Sequence, residues 1–293
     1  MGLAILACAE CRGSVVDATI FSSAYPNGGF HAYSFDASTE SYYHRTGADG
    51  GYPEISVYNS DAALASNSPS RTVTPQGDTF SGTYFAVRDG RIYGYSYLSN
   101  NVNKWNATTG AIEATRPIGD FNLEPSFDSG GFSFVDLLQD STGLYVLGHT
   151  AGVDSWSILQ VDADLNIIAT RSFTADSLGF AFMLNGKLFT SPNIIFSTVV
   201  TQVLDFATGT IEPVSYPINF VPGGVLPYIT NTAYDPTRDR LYIYNTGDAK
   251  LYSIAHASAA FGTNAVPEPS TFATAGIASL ASLIYGWRRR KVA

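Results

Sequence analysis

The sequence predicts an all-β protein, a β-propeller of five or six blades followed by a single C-terminal transmembrane helix. Three observations lead to this prediction. Between Val15 and about Ala260 there is almost no helical periodicity, and short runs of Tyr, Phe, Val, Ile and Thr alternate with turn residues. A turn-and-strand unit recurs about every 50 residues, and an uncharged C-terminal run precedes a basic cluster. A two-sheet jelly-roll β-sandwich is the alternative, since such folds also suit secreted bacterial surface proteins.

Composition narrows the class of protein. The chain has 293 residues, of which 45% are hydrophobic and 14% charged, so it can bury a large core and is not intrinsically disordered. The formal net charge is −9, and the residues before Val266 carry 12 basic against 24 acidic side chains. A surface that acidic repels phosphate backbones, which argues against nucleic acid as a partner.

The repeat has two recognisable halves. In the first half a polar turn leads into a strand, and Ile92, Leu144, Leu188 and Leu241 hold equivalent positions, spaced 52, 44 and 53 residues apart. In the second half a strand ends in a polar turn. The segments of this second half are Trp105–Gly110, Val161–Leu165 and Leu204–Gly209. A repeat of this length with several short strands per unit is typical of propeller blades.

The turns of this repeat are similar to those of YVTN/NHL- and quinoprotein-like propellers, over roughly Phe80 to Ala255. The stretch from Gly47 to Gln76 fits poorly, and we interpret it as a blade with a long insertion. The last hairpin lacks outer strands. We expect N-terminal strands near Thr19–Ser23 and His31–Phe35 to complete it and so close the ring. The propeller-like domain is therefore predicted to span residues 15–261.

The first 14 residues have the character of a shortened secretory signal. Residues 1–9 are apolar and small, and Ala7-Cys8-Ala9 has the form of a signal-peptidase site. The run is too short and lacks a basic start, so we expect an upstream in-frame start codon. A loose lipoprotein box and a plain hydrophobic strand are the alternatives. Cys8 and Cys11 have the spacing of a redox dithiol or half a zinc site, but we assign them to the targeting segment.

The C-terminus contains a membrane-directed segment. After a linker at residues 262–266, Val266-Pro267-Glu268-Pro269-Ser270 precedes the uncharged run 271–287. Seventeen helical residues span about 25 Å, near the lower limit for crossing a bilayer. The basic end that follows is predicted to stay in the cytoplasm as a stop-transfer signal, which places the rest of the chain outside it. The four residues of this basic end are Arg288, Arg289, Arg290 and Lys291.

This three-part tail, residues 267–293, resembles the PEP-CTERM sorting signal of Gram-negative bacteria that make exopolysaccharide. The resemblance implies an exosortase as partner, transient anchoring in the inner membrane, and release to the cell surface or extracellular matrix. Pro267, Glu268 and Pro269 match the recognition residues, while the catalytic residues belong to the exosortase. The two prolines bias the segment towards an extended geometry that suits a protease cleft. The alternative is a turn before an ordinary membrane anchor.

The body shows no active-site motif, so we assign no catalytic residue, metal or cofactor. His31, His44, His149 and His256 are far apart in sequence and are predicted to be surface or turn residues. No G-x-S-x-G elbow or P-loop is present. Residues 162–166 begin like a calcium loop, with Asp162, Asp164 and Asn166. Ile167 and Phe173 then stand where a glycine and a glutamate are needed, so we predict a polar turn, with an incomplete calcium site as the alternative.

Aromatic side chains could form a sugar-binding surface. Trp105 and Trp156 hold similar places in their repeats, and we predict that they pack between blades instead. Tyr42, Tyr43 and Tyr52 lie in the irregular segment and are better candidates for exposed contacts.

Two functions follow from the sequence. The leading hypothesis is a non-enzymatic binding or spacer module, with polysaccharide as a possible ligand. The alternative is a propeller enzyme acting on glycans, a hydrolase or lyase, with carboxylates from different blades meeting at the channel. A converging pair of acidic side chains with raised pKa values would favour the enzyme.

Overall fold

The computed structural model describes residues 13–24, 31–46, 54–78, 85–96, 99–117, 135–149, 155–175, 178–192, 197–222 and 227–262. These residues form strands and two short helices. The strands are β1 (Val16–Ser22), β2 (His31–Asp36), β3 (Ser41–Thr46), β4 (Ile55–Tyr58), β5 (Arg71–Val73), β6 (Phe85–Arg88), β7 (Arg91–Ser96), β8 (Asn101–Asn106), β9 (Ile112–Pro117), β10 (Val135–Asp140), β11 (Gly143–His149), β12 (Ser155–Val161), β13 (Ile167–Thr174), β14 (Leu178–Leu184), β15 (Lys187–Pro192), β16 (Val199–Asp205), β17 (Ile211–Val221), β18 (Ile229–Asp235), β19 (Arg240–Asn245) and β20 (Lys250–Ala255). The helices are α1 (Asp61–Ala65) and α2 (Ala257–Ala260).

The strands form five antiparallel blades of four strands each, arranged in a ring. Blade 1 is β2–β5, blade 2 is β6–β9, blade 3 is β10–β13 and blade 4 is β14–β17, each in chain order. Blade 5 contains β18, β19, β20 and β1. The innermost strands β2, β6, β10, β14 and β18 contact one another in that order, and β18 returns to β2. The predicted all-β fold with five or six blades is therefore present, with five blades in the described residues.

The N-terminal strand closes the ring. β1 pairs antiparallel with β20 as the outer strand of blade 5, and it also pairs parallel with β17 of blade 4. The predicted strand near Thr19–Ser23 thus has its expected place. The prediction for His31–Phe35 was wrong, because β2 is the fully buried inner strand of blade 1 and pairs with β3.

A hydrophobic core lies between each pair of neighbouring blades. Trp105 is buried between blades 1 and 2, and Trp156 between blades 3 and 4. Both indoles are about 1% exposed or less, which confirms that they pack between blades and are not a sugar-stacking surface. The core between blades 5 and 1 differs from the other four in being rich in tyrosine.

The irregular segment contributes to blade 1. Helix α1, capped by Ser60, is inserted between β4 and β5, as expected for a blade with an insertion. The prediction that Tyr42 and Tyr43 are exposed was wrong: they are 2% and 1% exposed, because β3 is an interior strand with both faces covered. Tyr52 lies outside the described residues.

The structure does not describe either of the two predicted targeting segments. Residues 1–12 and 263–293 lie outside the described residues, so the predicted signal remnant, the span 271–287 and the sorting motif are not seen. Among the residues that are described, no helix is long and apolar enough to cross a membrane.

Candidate functional site

The interior of the central channel is nearly filled by side chains. A space of about 20 Å³ lies between the inner strands, and its lining includes Tyr33, Phe85, Leu137, Phe182 and Thr232. Gln139 of blade 3 reaches blade 1, where its Nε2 donates to the Phe35 carbonyl at 2.5 Å and to Ser34 Oγ at 3.2 Å. Ser34 Oγ also accepts from the Val87 amide of blade 2 at 2.8 Å. These hydrogen bonds connect blades 1, 2 and 3 across the channel.

At one end of the channel the surface opens into a cavity of about 260 Å³. It is lined by the turns that follow the inner strands of blades 1, 2, 3 and 5, so four blades contribute to one concave site. The lining residues are Phe35, Asp36, Ala37, Ser38, Val87, Arg88, Asp89, Gln139, Asp140, Ser141, Pro236 and Thr237. We call this cavity the channel-mouth pocket.

Asp36 fixes the wall of the pocket between blades 1 and 2. It is fully buried at the end of β2, and its carboxylate accepts from the amides of Asp89 and Gly90 at 3.1 and 2.8 Å. It also accepts from Ser38 Oγ at 2.8 Å and Thr39 Oγ1 at 3.1 Å in its own turn. These bonds compensate for its burial, so Asp36 is a structural element of the pocket.

Asp140 has the same role two blades further on. It accepts from Thr142 Oγ1 at 2.6 Å in its own turn and from the Gly186 amide of blade 4 at 2.6 Å. Its main-chain carbonyl accepts from Arg88 of blade 2 at 3.0 Å. Blades 2, 3 and 4 are thereby joined along the rim of the pocket.

A charged and aromatic cluster joins blade 5 to blade 1 beside the pocket. Asp61 of α1 lies 3.3 Å from Arg238 Nε and 2.7 Å from Arg240 Nη1. Tyr42 donates to Asp61 at 2.5 Å, and Arg238 also lies over the Tyr42 ring and contacts Asp235 at 3.1 Å. Burial and the bond to Asp61 both raise the pKa of Tyr42 far above its ordinary value, so its phenol remains a donor.

The rim of the channel-mouth pocket is polar and its deeper wall is apolar. Ser38, Asp89, Ser141 and Thr237 are exposed or largely exposed, and the Asp89 side chain has 70% of its area accessible. Phe35, Val87 and Pro236 supply the apolar wall. Such a combination suits a ligand with hydroxyl groups on one edge and C–H groups on a face, the chemistry of a sugar ring.

One buried carboxyl group has no partner. Asp136, the second residue of β10, is fully buried, and neither side-chain oxygen has a hydrogen bond. Burial raises its pKa well above the ordinary value. Asp235 also has a pKa raised by burial, but it ends β18 at the pocket end of the channel. Asp136 precedes the end of β10 by four residues, which correspond to about 13 Å along that strand.

Two of the four histidines are buried together. The prediction that His31 and His44 are surface or turn residues was wrong: they are 1% and 3% exposed, because they lie on the interior strands β2 and β3. His31 Nδ1 and His44 Nε2 are 2.8 Å apart, and the rings of Tyr33 and Tyr244 cover the pair. Burial, and secondarily the nearby His31, lower the pKa of His44 to about 3.

The remaining histidines differ in exposure. His256 is exposed and lies in a turn before α2, as predicted. His149 is half-buried at the end of β11, where its ring contacts Trp156 at 5.1 Å.

The predicted polar turn at residues 162–166 is confirmed. Asp162 accepts from the amides of Asp164 and Asn166 at 2.8 and 2.9 Å and from Asn166 Nδ2 at 2.9 Å. The side chain of Asp164 pairs with Lys104 at 3.0 Å. These contacts occupy the side chains of the suspected calcium loop, and the described residues contain no group of three or more His, Cys, Asp or Glu that could hold a metal.

A weak signal in the sequence marks the residues that build the pocket. Asp36-Ala-Ser38, Asp140-Ser-Thr142 and Asp235-Pro-Thr237 share the pattern D-x-[ST] at the ends of alternate inner strands. In each, the aspartate accepts a hydrogen bond from the amide two residues later. The sorting residues Pro267, Glu268 and Pro269 and the basic end lie outside the described residues.

Comparison with known proteins identifies two segments. Residues 17–259 match the family model described as olfactomedin-like domain, and residues 265–291 match the model of the PEP-CTERM protein-sorting motif. Adhesion G protein-coupled receptor L1 of Homo sapiens is 24% identical over 201 residues, which are 64% of this chain and 13% of the receptor. The chain thus spans a small part of that relative's length.

Solved structures are similar in fold. Glutaminyl cyclase of Myxococcus xanthus has a TM-score of 0.51 and 15% sequence identity, covering 82% of this chain and 97% of that one. The WD40 β-propeller domain of Doa1 has a TM-score of 0.40 and 11% sequence identity, covering 86% of this chain and 96% of that one.

Proposed function

Because the chain belongs to the olfactomedin-like domain family and carries a PEP-CTERM sorting motif, we propose that it is an exported, exosortase-processed polysaccharide-binding protein of the cell surface or extracellular matrix. The motif itself implies a sorted, exported protein that begins as a membrane-anchored precursor. In our proposal, residues 1–14 are the remnant of a signal peptide, 262–266 a linker, and 271–287 the transmembrane segment. Residues 288–291 are the cytoplasmic stop.

The observation that carries the binding role is the channel-mouth pocket. Four blades form its walls, and the aspartates at blade ends are held by hydrogen bonds across blades, so the pocket is pre-formed. A cavity of about 260 Å³ has room for a single sugar unit of a longer chain, with the remainder lying across the exposed rim. The name of the human relative, an adhesion receptor, also favours a binding role over catalysis.

A polysaccharide pull-down tests the binding role. The full-length chain in detergent is incubated with immobilised polysaccharide from the producing cells, alongside Ser141→Trp, which fills the exposed rim of the pocket. Thr108→Trp is the matched control, because Thr108 is equally exposed on the turn between β8 and β9, away from the pocket lining. We expect retention of the wild type and Thr108→Trp and loss of Ser141→Trp. Equal retention of all three, or of none, would contradict the proposal.

A second experiment tests the sorting role of the tail. Glu268→Ala removes the charge between Pro267 and Pro269 while leaving the uncharged run and basic end intact. Membrane insertion should therefore persist, whereas processing by the cognate exosortase should stop. Immunoblots of membrane and culture fractions distinguish the precursor from the product. Equal maturation of wild type and variant would mean that the motif is an ordinary linker.

A further inference from the structure

The first described residues of the chain lie against the middle of β17. Gly13 approaches this strand so closely that a Cβ at residue 13 would overlap the carbonyl oxygen of Ser215. From there the chain continues into β1, which pairs parallel with β17 from Val16 opposite Ile218 to Thr19 opposite Val221. The first described residue therefore lies beside Ser215.

The last described residues lie against the same part of β17. Phe261 is 2% exposed and contacts the rings of Phe182, Phe189 and Tyr216 at 5.1, 5.3 and 5.4 Å. The Tyr216 hydroxyl donates to the Phe261 carbonyl at 3.2 Å. Gly262 has a φ of 67°, and a Cβ there would lie 3.4 Å from the Tyr216 hydroxyl. The last described residues therefore lie beside Tyr216, the neighbour of Ser215.

Both membrane-directed segments of the chain are thus attached at one edge of the ring. Residues 1–12 precede Gly13, and the proposed transmembrane segment begins at Thr271, nine residues after Gly262. Nine fully extended residues span at most about 32 Å, which is less than the diameter of about 45 Å expected for a domain of this size. So short a connection does not allow the ring to turn its opposite side towards the membrane.

The chemistry of this edge is compatible with a lipid surface. Strands β1 and β17 carry two charged residues, Asp17 and Glu212, and no Lys or Arg. Asp17 accepts from Asn219 Nδ2 at 2.8 Å across the two strands. Val15 and Val221 expose 63% and 38% of their area at this edge. The edge has few charges to desolvate near lipid and no basic patch to bind anionic headgroups.

We propose that the edge formed by β1 and β17 faces the lipid surface in the membrane-anchored precursor, held there by the short C-terminal connection. This inference rests on the proposed function, because it requires the tail to be inserted in the membrane. Blade 2, which lies across the ring from the junction of blades 4 and 5, faces away from the lipid. The C-terminal connection, and not charge attraction, sets the orientation, so it is independent of salt.

Fluorescence quenching by lipid tests the orientation. In the full-length precursor with Glu268→Ala, Cys8 and Cys11 are replaced by Ser, and a single probe is attached through Asn219→Cys on β17. Arg116→Cys on β9, the exposed outer strand of blade 2, is the matched control. Each precursor is inserted into phosphatidylcholine vesicles that carry a spin label on the headgroup. We expect roughly tenfold stronger quenching at residue 219 than at residue 116, because the domain is about 45 Å across.

Each outcome has a distinct meaning. Precursor that does not float with the vesicles would overturn the proposed membrane anchoring and this inference with it. Vesicle-bound precursor with equal quenching at both positions, or stronger quenching at residue 116, would overturn the orientation alone. A flexible Gly-Ser spacer of about 20 residues after Gly262 should abolish most of the difference, since it lengthens the C-terminal connection. An unchanged difference would show that the connection does not set the orientation.

Discussion

Individual buried titratable residues make the stability of this domain dependent on pH. His44 is buried with a pKa lowered to about 3, whereas an unfolded histidine titrates near 6.5. Below pH 6.5 the unfolded chain binds a proton that folded His44 does not, so stability falls as the pH is lowered towards 3. The His31–His44 pair lies on blade 1 and is covered by Tyr244 of blade 5. Acid should therefore weaken the contact between blades 1 and 5.

We predict that the free energy of unfolding contributed by this site falls by about 2 kcal/mol between pH 6.5 and pH 5. Guanidinium unfolding curves at these pH values measure it. The variant His44→Gln should lose this part of the pH dependence, and His256→Gln, at an exposed position, should keep it. A His44→Gln protein with the pH dependence of the wild type would contradict the assignment.

Asp136 makes stability depend on pH with the opposite sign to His44. Its pKa in the folded protein is raised by burial, so above its ordinary value near 3.9 the unfolded chain releases a proton that folded Asp136 retains. Stability therefore falls as the pH rises through this range. We predict that Asp136→Asn is more stable than the wild type at pH 7, because it removes a group that is charged in the unfolded chain and costly to bury. At pH 4 the two proteins should be nearly equal in stability.

Thermal unfolding at the two pH values checks this prediction. Asp89→Asn, which changes an exposed carboxylate with a positive φ that asparagine tolerates, is the control and should have little effect. An Asp136→Asn protein less stable than the wild type at pH 7 would mean that the carboxylate is needed in its ionised form.

Among the elements, β1 is the one that holds the ring closed. It lies between β20 of blade 5 and β17 of blade 4, and Ala18 in its centre is fully buried. We predict that Ala18→Glu lowers the free energy of unfolding by about 3 kcal/mol or more, because it buries a charge without a partner. Thr19 is the next residue along β1 and is exposed, so Thr19→Glu should lower the free energy of unfolding far less. Chemical unfolding measures both, and equal effects would show that β1 is not part of the closed core.

The C-terminal end of the domain depends on Phe261. We predict that Phe261→Ala lowers the free energy of unfolding by about 3–5 kcal/mol, because it empties a site between Phe182, Phe189 and Tyr216. Deleting all residues after Val266 should leave the stability nearly unchanged, since a membrane segment has no place in this core. Calorimetry of both variants checks the comparison. A large loss on truncation would mean that the tail packs on the domain.

At the scale of these elements, the sequence predicted local features better than long-range ones. The repeated turn motifs correctly marked the starts of β7, β11, β15 and β19, because turn chemistry is local. The positions of His31, His44, Tyr42 and Tyr43 were predicted wrongly, since their burial depends on packing between blades that are distant in sequence. The inter-blade bonds of Asp36 and Asp140 are equally non-local.

For the whole molecule, the arrangement of the blades explains why a binding role is favoured. Within the part of the chain that the structure describes, five four-stranded blades surround the channel, and a pre-formed pocket lies at its mouth. Among the described residues, burial raises the pKa values of two aspartates, Asp136 near the start of β10 and Asp235 at the end of β18. The pocket is held rigid by hydrogen bonds between blades, which suits the retention of a glycan proposed above.

The measurement that tests this account most directly is the mass of the polysaccharide before and after incubation with the full-length chain in detergent. Size-exclusion chromatography with light scattering reports both co-elution and polymer mass. We expect the wild type to co-elute with the polysaccharide and leave its mass unchanged, and Ser141→Trp to elute separately from it. A falling polymer mass would show that the protein is an enzyme, and separate elution of the wild type would show that polysaccharide is not its ligand.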